Sequence, residues 1–266
     1  MFILHSNDAS PTLKVMLNKV PEVTLWFWVI KILSTTIGEA AADYLAFNLG
    51  MGLERTALVM GLLLAAALAI QLRARRCLPT NYWVVVVLVS IVGTLTTDLL
   101  TDRLGVSLFV STGVFSISLL AVFAIWWKRE RTLSIHAIDT PARERFYWLT
   151  VLVTFALGTA AGDLTSEALG WGYGLSALIY GYLIAFAVLA RWKLRADPVL
   201  IFWVVFILTR PLGASVGDFL AQPVSQGGMG FGAPIVTAVF AGLIALLVTW
   251  LTAQDRLSHK GQRADP

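Results

Sequence analysis

Charged residues are scarce in this chain, and their scarcity excludes most soluble proteins. Only 14% of the 266 residues are charged, whereas 58% are hydrophobic, and the mean hydropathy is +0.77. A soluble domain carries roughly a quarter charged residues. The composition is therefore that of an integral membrane protein, and its first expected partner is the lipid bilayer.

Cysteine and histidine are also rare, which excludes several kinds of functional site. The single cysteine, Cys77, excludes an internal disulfide and argues against a thiolate metal cage or a two-cysteine redox centre. His5, His136 and His259 all lie outside the apolar runs, so imidazole cannot build an intramembrane zinc or haem site. The sequence leaves open whether a cofactor is bound, and it leaves the identity of any metal open as well.

Long apolar runs, by contrast, are plentiful. A membrane-spanning helix needs about 20 mostly apolar residues, and eight segments meet this requirement. They are residues 22–48, 56–72, 81–101, 108–127, 146–168, 175–190, 198–221 and 233–252. We therefore predict an all-α, polytopic membrane protein with eight transmembrane helices.

The distribution of lysine and arginine predicts how these helices are oriented. Of the 20 basic residues, sixteen fall on the side that holds both termini, and two, Arg55 and Arg103, fall in the opposite loops. Lys31 and Arg210 lie within spans. Because cytoplasmic loops carry such an excess, we expect both termini to be cytoplasmic. The net charge of +4 then belongs to loops beside anionic lipid, and nucleic acid is not expected as a partner.

The odd-numbered spans repeat one pattern of three residues. Each span contains a tryptophan, a glycine ten residues later and an aspartate five residues after that. The copies are Trp28, Gly38 and Asp43; Trp83, Gly93 and Asp98; Trp148, Gly158 and Asp163; and Trp203, Gly213 and Asp218. Four coincident copies indicate four tandem units. Because each unit holds two helices, all units share one orientation, and we expect four parallel two-helix repeats around a pseudo-symmetric axis.

The spacing of the copies predicts the domain organisation. The copies are 55, 65 and 55 residues apart, and the longer middle interval contains a basic segment. The predicted units are residues 22–79, 80–127, 146–197 and 198–252. A basic cytoplasmic linker at 128–145, a cytoplasmic N-terminal segment at 1–21 and a cytoplasmic tail at 253–266 complete the chain.

This pattern resembles a bacterial membrane-protein family of unknown function, built from four tandem repeats with two transmembrane segments and a characteristic tryptophan each. Trp28, Trp83, Trp148 and Trp203 carry the resemblance, which covers about residue 20 to residue 252. It implies the eight-helix repeat architecture and location in a bacterial inner membrane. It implies no activity.

Other intramembrane residues have structural interpretations. We expect the tryptophans to anchor the helices at the membrane interface, with packing at the centre of the bundle as the alternative. The repeated glycines are interpreted as sites of close helix contact. Lys31 lies near enough to the cytoplasmic end to extend its amine toward it. The even-numbered helices have almost no polar atoms, so we expect them to form a lipid-facing outer ring.

The carboxylates of the odd-numbered spans carry the functional prediction. Glu39, Asp102 and Glu167 each lie four residues from a repeated aspartate and therefore on the same helix face. Acids within a span cost about 2.5–3.5 kcal/mol each and usually face an interior or a water-filled cavity. The predicted substrate- or ion-binding residues are Glu39, Asp43, Asp98, Asp102, Asp163, Glu167, Asp218 and Arg210.

If the odd-numbered helices line one centre, these acids form a cup that opens toward the periplasm. Carboxylates at close range cannot all stay ionised without a cation, a proton or a base. Arg210 is expected to supply one base, through a cross-helix pair with Glu39 or with one of the aspartates. The alternative is that the acids only provide helix-end polarity and buried structural pairs.

We therefore predict a transporter or exporter, either of a cation or proton-coupled, with no catalytic residue assigned. A non-transporting membrane scaffold or accessory subunit is the alternative. An acid-dependent intramembrane enzyme is least favoured, because no histidine dyad or nucleophile motif lies in any span. The substrate, the direction, the coupling ion and any oligomeric partner are left open.

Overall fold

The structure, a computed structural model, describes residues 18–74 and 77–261, with side chains to residue 253. Parts of the predicted terminal segments, at 1–17 and 262–266, lie outside the described residues. Eight helices long and apolar enough to cross a membrane follow one another, and the described part of the chain contains no strand. They are α1 (Leu25–Asp43), α2 (Leu53–Arg73), α3 (Pro79–Asp98), α4 (Leu108–Glu130), α5 (Pro141–Asp163), α6 (Tyr173–Lys193), α7 (Pro198–Ala221) and α8 (Ala233–Gly261).

Ordinary start signals place the first turns of the odd-numbered helices. Pro79, Pro141 and Pro198 stand in the first turn of α3, α5 and α7, where a missing backbone N–H costs no hydrogen bond. Thr140 and Asp197 each accept a hydrogen bond from a backbone N–H of the helix that follows. The helices nevertheless start at different points relative to the repeated pattern, since Pro79, Pro141 and Pro198 lie four, seven and five residues before the tryptophan of their repeat.

The four odd-numbered helices form a closed ring. α1 packs against α3, α3 against α5, α5 against α7, and α7 returns to α1. The shares of buried positions in these four spans are 67%, 50%, 61% and 56%, against 22%, 11%, 22% and 17% in the even-numbered spans. The predicted arrangement of odd-numbered helices in an inner ring and even-numbered helices in an outer ring is thus confirmed. The end of the ring at which the odd-numbered helices begin is termed the linker end, and the opposite end the acidic end.

Each even-numbered helix packs mainly on the odd-numbered helix of the following repeat. α2 lies on α3, α4 on α5 and α6 on α7, while α8 lies on α1 and completes the outer ring. A short turn that contains Gly50 and Gly52, both with positive φ, leads from α1 to α2. The two helices of one repeat are therefore consecutive in sequence but do not pack mainly on each other.

The repeated glycines are the contact points of the inner ring. A Cβ atom added at Gly38 would overlap Ser90 on α3, and one added at Gly213 would overlap Thr35 on α1. Gly93 meets Phe155 of α5, and Gly158 meets Arg210 of α7 in the same way. Each contacted residue lies seven positions after its own tryptophan. One contact is thus repeated four times around the axis, as expected for glycines that allow close helix approach.

We predict that Gly158→Ala destabilises the protein, because the added methyl group would overlap the Arg210 side chain. Overpacking of this kind typically costs about 1–3 kcal/mol. Gly113→Ala is the matched control, since Gly113 lies in α4 with open space where its Cβ would be. Thermal unfolding of both variants in detergent checks this. Equal midpoints for the two variants would contradict the assigned contact.

A candidate cation site at the acidic end

The seven predicted carboxylates line one cavity. It lies at the acidic end of the ring and has a volume of about 510 Å³. Phe47, Asn48 and Asp102 at its rim are exposed, whereas Glu39 and Asp218 are only 6% and 7% exposed. The lining acids are Glu39, Asp43, Asp98, Asp102, Asp163, Glu167 and Asp218. This space is termed the acidic cavity.

The ends of the inner helices place the acids at two depths. Asp102 and Glu167, which lie beyond the repeated aspartates, form the outer tier. In the first three repeats a single π-helical turn follows directly after the repeated aspartate, at Tyr44–Asn48, Leu99–Arg103 and Leu164–Ala168. Asp102 and Glu167 lie within these turns. Such turns often occur at functional sites. Here they carry the outer acids beyond the α-helical part of the ring.

The outer tier is not symmetric. Phe47 and Gln222 occupy the positions in the first and fourth repeats that correspond to Asp102 and Glu167. Gln222 Nε2 donates a hydrogen bond to Asp43 Oδ2 at 3.2 Å. The carboxylate of Asp43, one of the repeated aspartates, thus accepts a hydrogen bond from a side-chain amide.

Arg210 closes the inner end of the cavity. It is 0% exposed, and its Nη2 lies 3.0 Å from Glu39 Oε2 and 2.6 Å from Thr159 Oγ1, and it donates to Thr94 Oγ1 as well. Its Nη1 donates to the Thr35 carbonyl at 3.2 Å. Glu39, Thr94 and Thr159 all lie eleven residues after their own tryptophan. One guanidinium therefore joins α7 to α1, α3 and α5, and its pair with Glu39 is the cross-helix pair expected from the sequence.

The prediction that Lys31 extends to the cytoplasmic end is wrong. Lys31 is 1% exposed, and its Nζ donates to Thr209 Oγ1 at 2.9 Å and to the Phe206 carbonyl at 3.2 Å. Nζ also lies 3.9 Å from the ring centroid of Phe206 and 4.8 Å from that of Phe155, within the range of cation–π attraction. The physical reason is its helix face, since Lys31 lies four residues before Thr35 and points inward with it.

The prediction that the tryptophans are interfacial anchors is wrong for three of them. Trp83, Trp148 and Trp203 are 4%, 5% and 4% exposed, while Trp28 is half-buried. The indole Nε1 of Trp203 donates to the Leu133 carbonyl at 2.9 Å, so the linker satisfies its polar edge. The alternative interpretation, packing at the centre of the bundle, describes these residues.

Sequence reasoning missed the residue that precedes each tryptophan. These residues are aromatic in all four repeats and buried, and the hydroxyl groups of Tyr82 and Tyr147 share a hydrogen bond. They are Phe27, Tyr82, Tyr147 and Phe202. The repeated Phe/Tyr–Trp dipeptide was the signal that could have found them. With the tryptophans they form an aromatic layer that fills the ring at the linker end.

The linker covers this layer. Ile135 and Ile138 are 4% and 0% exposed, and the backbone N–H of Lys19 donates to the Ile138 carbonyl at 3.0 Å. The Lys19 ammonium group also pairs with the buried Glu144 carboxylate. The acidic cavity is thus separated from the linker end by Arg210, Lys31, the aromatic layer and the linker.

Three of the seven acids could hold one metal ion. One carboxylate oxygen each from Glu39, Asp163 and Asp218 lies within 4.8 Å of the other two. The sequence grouped these acids with four others and could not single them out, because they come from three different helices.

Comparison with protein families identifies the chain. The family described as Repeat of Unknown Function (DUF347) matches at residues 26–77, 81–132, 146–197 and 201–256. These four matches coincide with the four two-helix repeats of the fold. The chain is a repeat membrane protein, with helices suited to span a bilayer eight times. It belongs to the DUF347 family. Comparison with curated proteins gives no match, and neither does comparison with solved structures.

The ion pair at the axis predicts a non-additive response to mutation. Glu39→Gln leaves Arg210 buried without its anion, and Arg210→Met leaves Glu39 without its cation; each change should cost about 3–5 kcal/mol. The double variant should lose clearly less than the sum of the two single losses, because it leaves no unpaired charge. Unfolding free energies in detergent micelles test this, and strictly additive losses would show that the pair is not coupled.

Proposed function

We propose that this protein is a membrane transporter that moves a cation, or uses protons, through the acidic cavity. One observation carries the proposal: seven carboxylates from four membrane-spanning segments line a single cavity. Only Arg210 forms an ion pair with any of these acids among the described residues. An excess of negative charge in so small a space requires cations or protons, because like charges at close range cannot all stay ionised.

The closure of the cavity at one end supports a transporter over an open channel. The cavity is open at the acidic end, while layers of fully buried side chains separate it from the linker end. A carrier needs such a closed side in each of its states, with the substrate site near the middle of the membrane. The fourth repeat is the proposed moving element, because its inner helix carries a proline, Pro211, in its middle.

The scaffold alternative is supported by one feature. The Arg210 ion pair joins four helices and would serve a static bundle as well. It does not account for Asp98, Asp163 and Asp218, whose carboxylates have no hydrogen-bond or ion-pair partner among the described residues. Intramembrane carboxylates without partners are costly, and a purely structural bundle would gain nothing from them.

Ion flux into liposomes tests the proposal. We expect cation or proton flux with the reconstituted wild-type protein, and we expect Asp98→Asn and Asp163→Asn to abolish it, because each removes a charge from the cavity. Glu54→Gln is the matched control, since the Glu54 side chain is 67% exposed at the same end and does not line the cavity.

Correct folding of the variants is checked by their elution profile and unfolding temperature. Folded wild-type protein without flux of any tested cation or proton would favour the scaffold instead. Loss of flux in Glu54→Gln as large as in the cavity variants would show that the effect does not come from the cavity.

The proposal includes a location in a bacterial inner membrane with both termini cytoplasmic, so that the acidic cavity faces the periplasm. It is supported by the excess of lysine and arginine on the linker side of the chain. A fluorescent protein fused after residue 266 should fluoresce, and alkaline phosphatase fused in the loop at 104–107 should be active. The reverse pattern would invert the orientation.

A further inference from the structure

We propose that the inner end of the acidic cavity is a binding site for one hard divalent metal ion, with Glu39, Asp163 and Asp218 as its protein ligands. This inference rests on the proposed function and names the substrate class of the same cavity. The evidence is geometric. Three of the seven acids converge, and the atoms around them leave their oxygens available to an ion.

The spacing of the oxygens suits a single ion. Oxygen ligands lie about 2.0–2.6 Å from Mg²⁺ or Ca²⁺ ions. Two oxygen atoms that bind the same ion are therefore about 3–5 Å apart. One oxygen each from Glu39, Asp163 and Asp218 meets this condition, with all three within 4.8 Å of one another. The cavity volume of about 510 Å³ leaves room for water molecules to complete the coordination, as these ions commonly require.

Asp218 is an independent sign that something binds here. It is 93% buried, being 7% exposed, and no hydrogen-bond donor contacts its carboxylate among the described residues. Yet it lines the cavity. A buried carboxylate without a partner is costly, and an ion at the cavity end would supply the missing partner. Asp43, the equivalent residue of the first repeat, differs because Gln222 donates to it.

Glu39 is placed to serve both Arg210 and an ion. Its Oε2 accepts hydrogen bonds from Arg210 Nη2 and from Thr94 Oγ1, both at 3.0 Å. Its Oε1 receives none from the part of the chain that the structure describes. A bound ion would therefore share this carboxylate with the guanidinium. Arg210 would hold Glu39 in place while the second oxygen faces the ion.

The ligand chemistry selects the class of ion. All three ligands are carboxylates, and of the residues that the structure describes neither cysteine nor histidine lines the cavity. Carboxylate and water ligands suit Mg²⁺, Ca²⁺ and Mn²⁺, whereas thiolate and imidazole ligands suit Cu⁺ and Zn²⁺. With two aspartates and one glutamate, the ligand charge favours a divalent over a monovalent ion.

Mn²⁺ titration of the purified full-length protein in detergent tests the site, because the electron paramagnetic resonance signal of free Mn²⁺ falls as the ion binds. We expect saturable binding of one ion per chain. Asp163→Asn and Asp218→Asn should weaken it by about tenfold or more, at least as much as loss of an outer-shell partner costs. Asp43→Asn, the same change at the equivalent repeat position, should have a much smaller effect.

Each result decides the matter. Absence of saturable Mn²⁺ binding by the wild-type protein overturns the proposal, and so does an equal loss in Asp43→Asn and Asp218→Asn. If the Asn variants lose the native elution profile, Asp163→Glu and Asp218→Glu keep the charge and displace the oxygen. They should weaken binding more than Asp43→Glu does, and an equal effect overturns the proposal.

The two proposals fail separately. Saturable Mn²⁺ binding without flux of any cation in liposomes would overturn transport and leave the site standing. Carboxylate-dependent flux of protons or another cation, without saturable Mn²⁺ binding, would overturn the divalent site and leave transport standing.

Discussion

A single buried guanidinium holds the centre of this protein. Arg210 extends from α7 to the axis and contacts Glu39, Thr94 and Thr159, which occupy one repeat position on the other three inner helices. A charge at this depth is tolerated only with a counter-charge and polar partners, and the repeats supply both. The same contact fixes the floor of the acidic cavity, since the buried Lys31 and the buried aromatic side chains follow Arg210 on its linker side.

The glycines and the arginine act together. Each inner helix approaches the next at a glycine, and at Gly158 the neighbour is Arg210 itself. Close approach of the backbones brings Glu39, Thr94 and Thr159, which lie eleven residues after the tryptophans of their repeats, within reach of the Arg210 guanidinium. The fold thus uses a fourfold scaffold to support a site that is not fourfold, because only one repeat provides the cation and only one provides Glu39.

Much of the fold could be predicted from the sequence, for a physical reason. Spans in lipid must be long and apolar, so the eight helices are visible as runs, and duplication makes Trp, Gly and Asp recur at constant spacing. That register placed the seven acids at one level of the inner helices, but whether they share one cavity depends on how those helices pack. The Arg210 pair followed from the need to neutralise a buried charge.

The remaining features depend on tertiary packing that spacing does not encode. Lys31 and the tryptophans have amphipathic side chains that suit an interface or an interior equally well, and only their inward helix face decides. The metal-binding subset of the acids was also hidden, because its three members come from three helices. The first three outer helices each stand between two inner helices in sequence, and neighbours in sequence usually pack together, so the sequence did not show which of the two inner helices each would pack on.

The packing of each outer helix on the inner helix of the following repeat has a consequence for the ancestry of the chain. A two-repeat ancestor would have ended with an outer helix and no third repeat to receive it. To dock as α8 and α4 do here, that helix would need the first helix of another copy, so forming the same ring from two-repeat chains would take two copies arranged head to tail. Joining two such halves through the connection between α4 and α5 leaves them free to differ, so that an arginine or a glutamate can stand in one half without being imposed on the other.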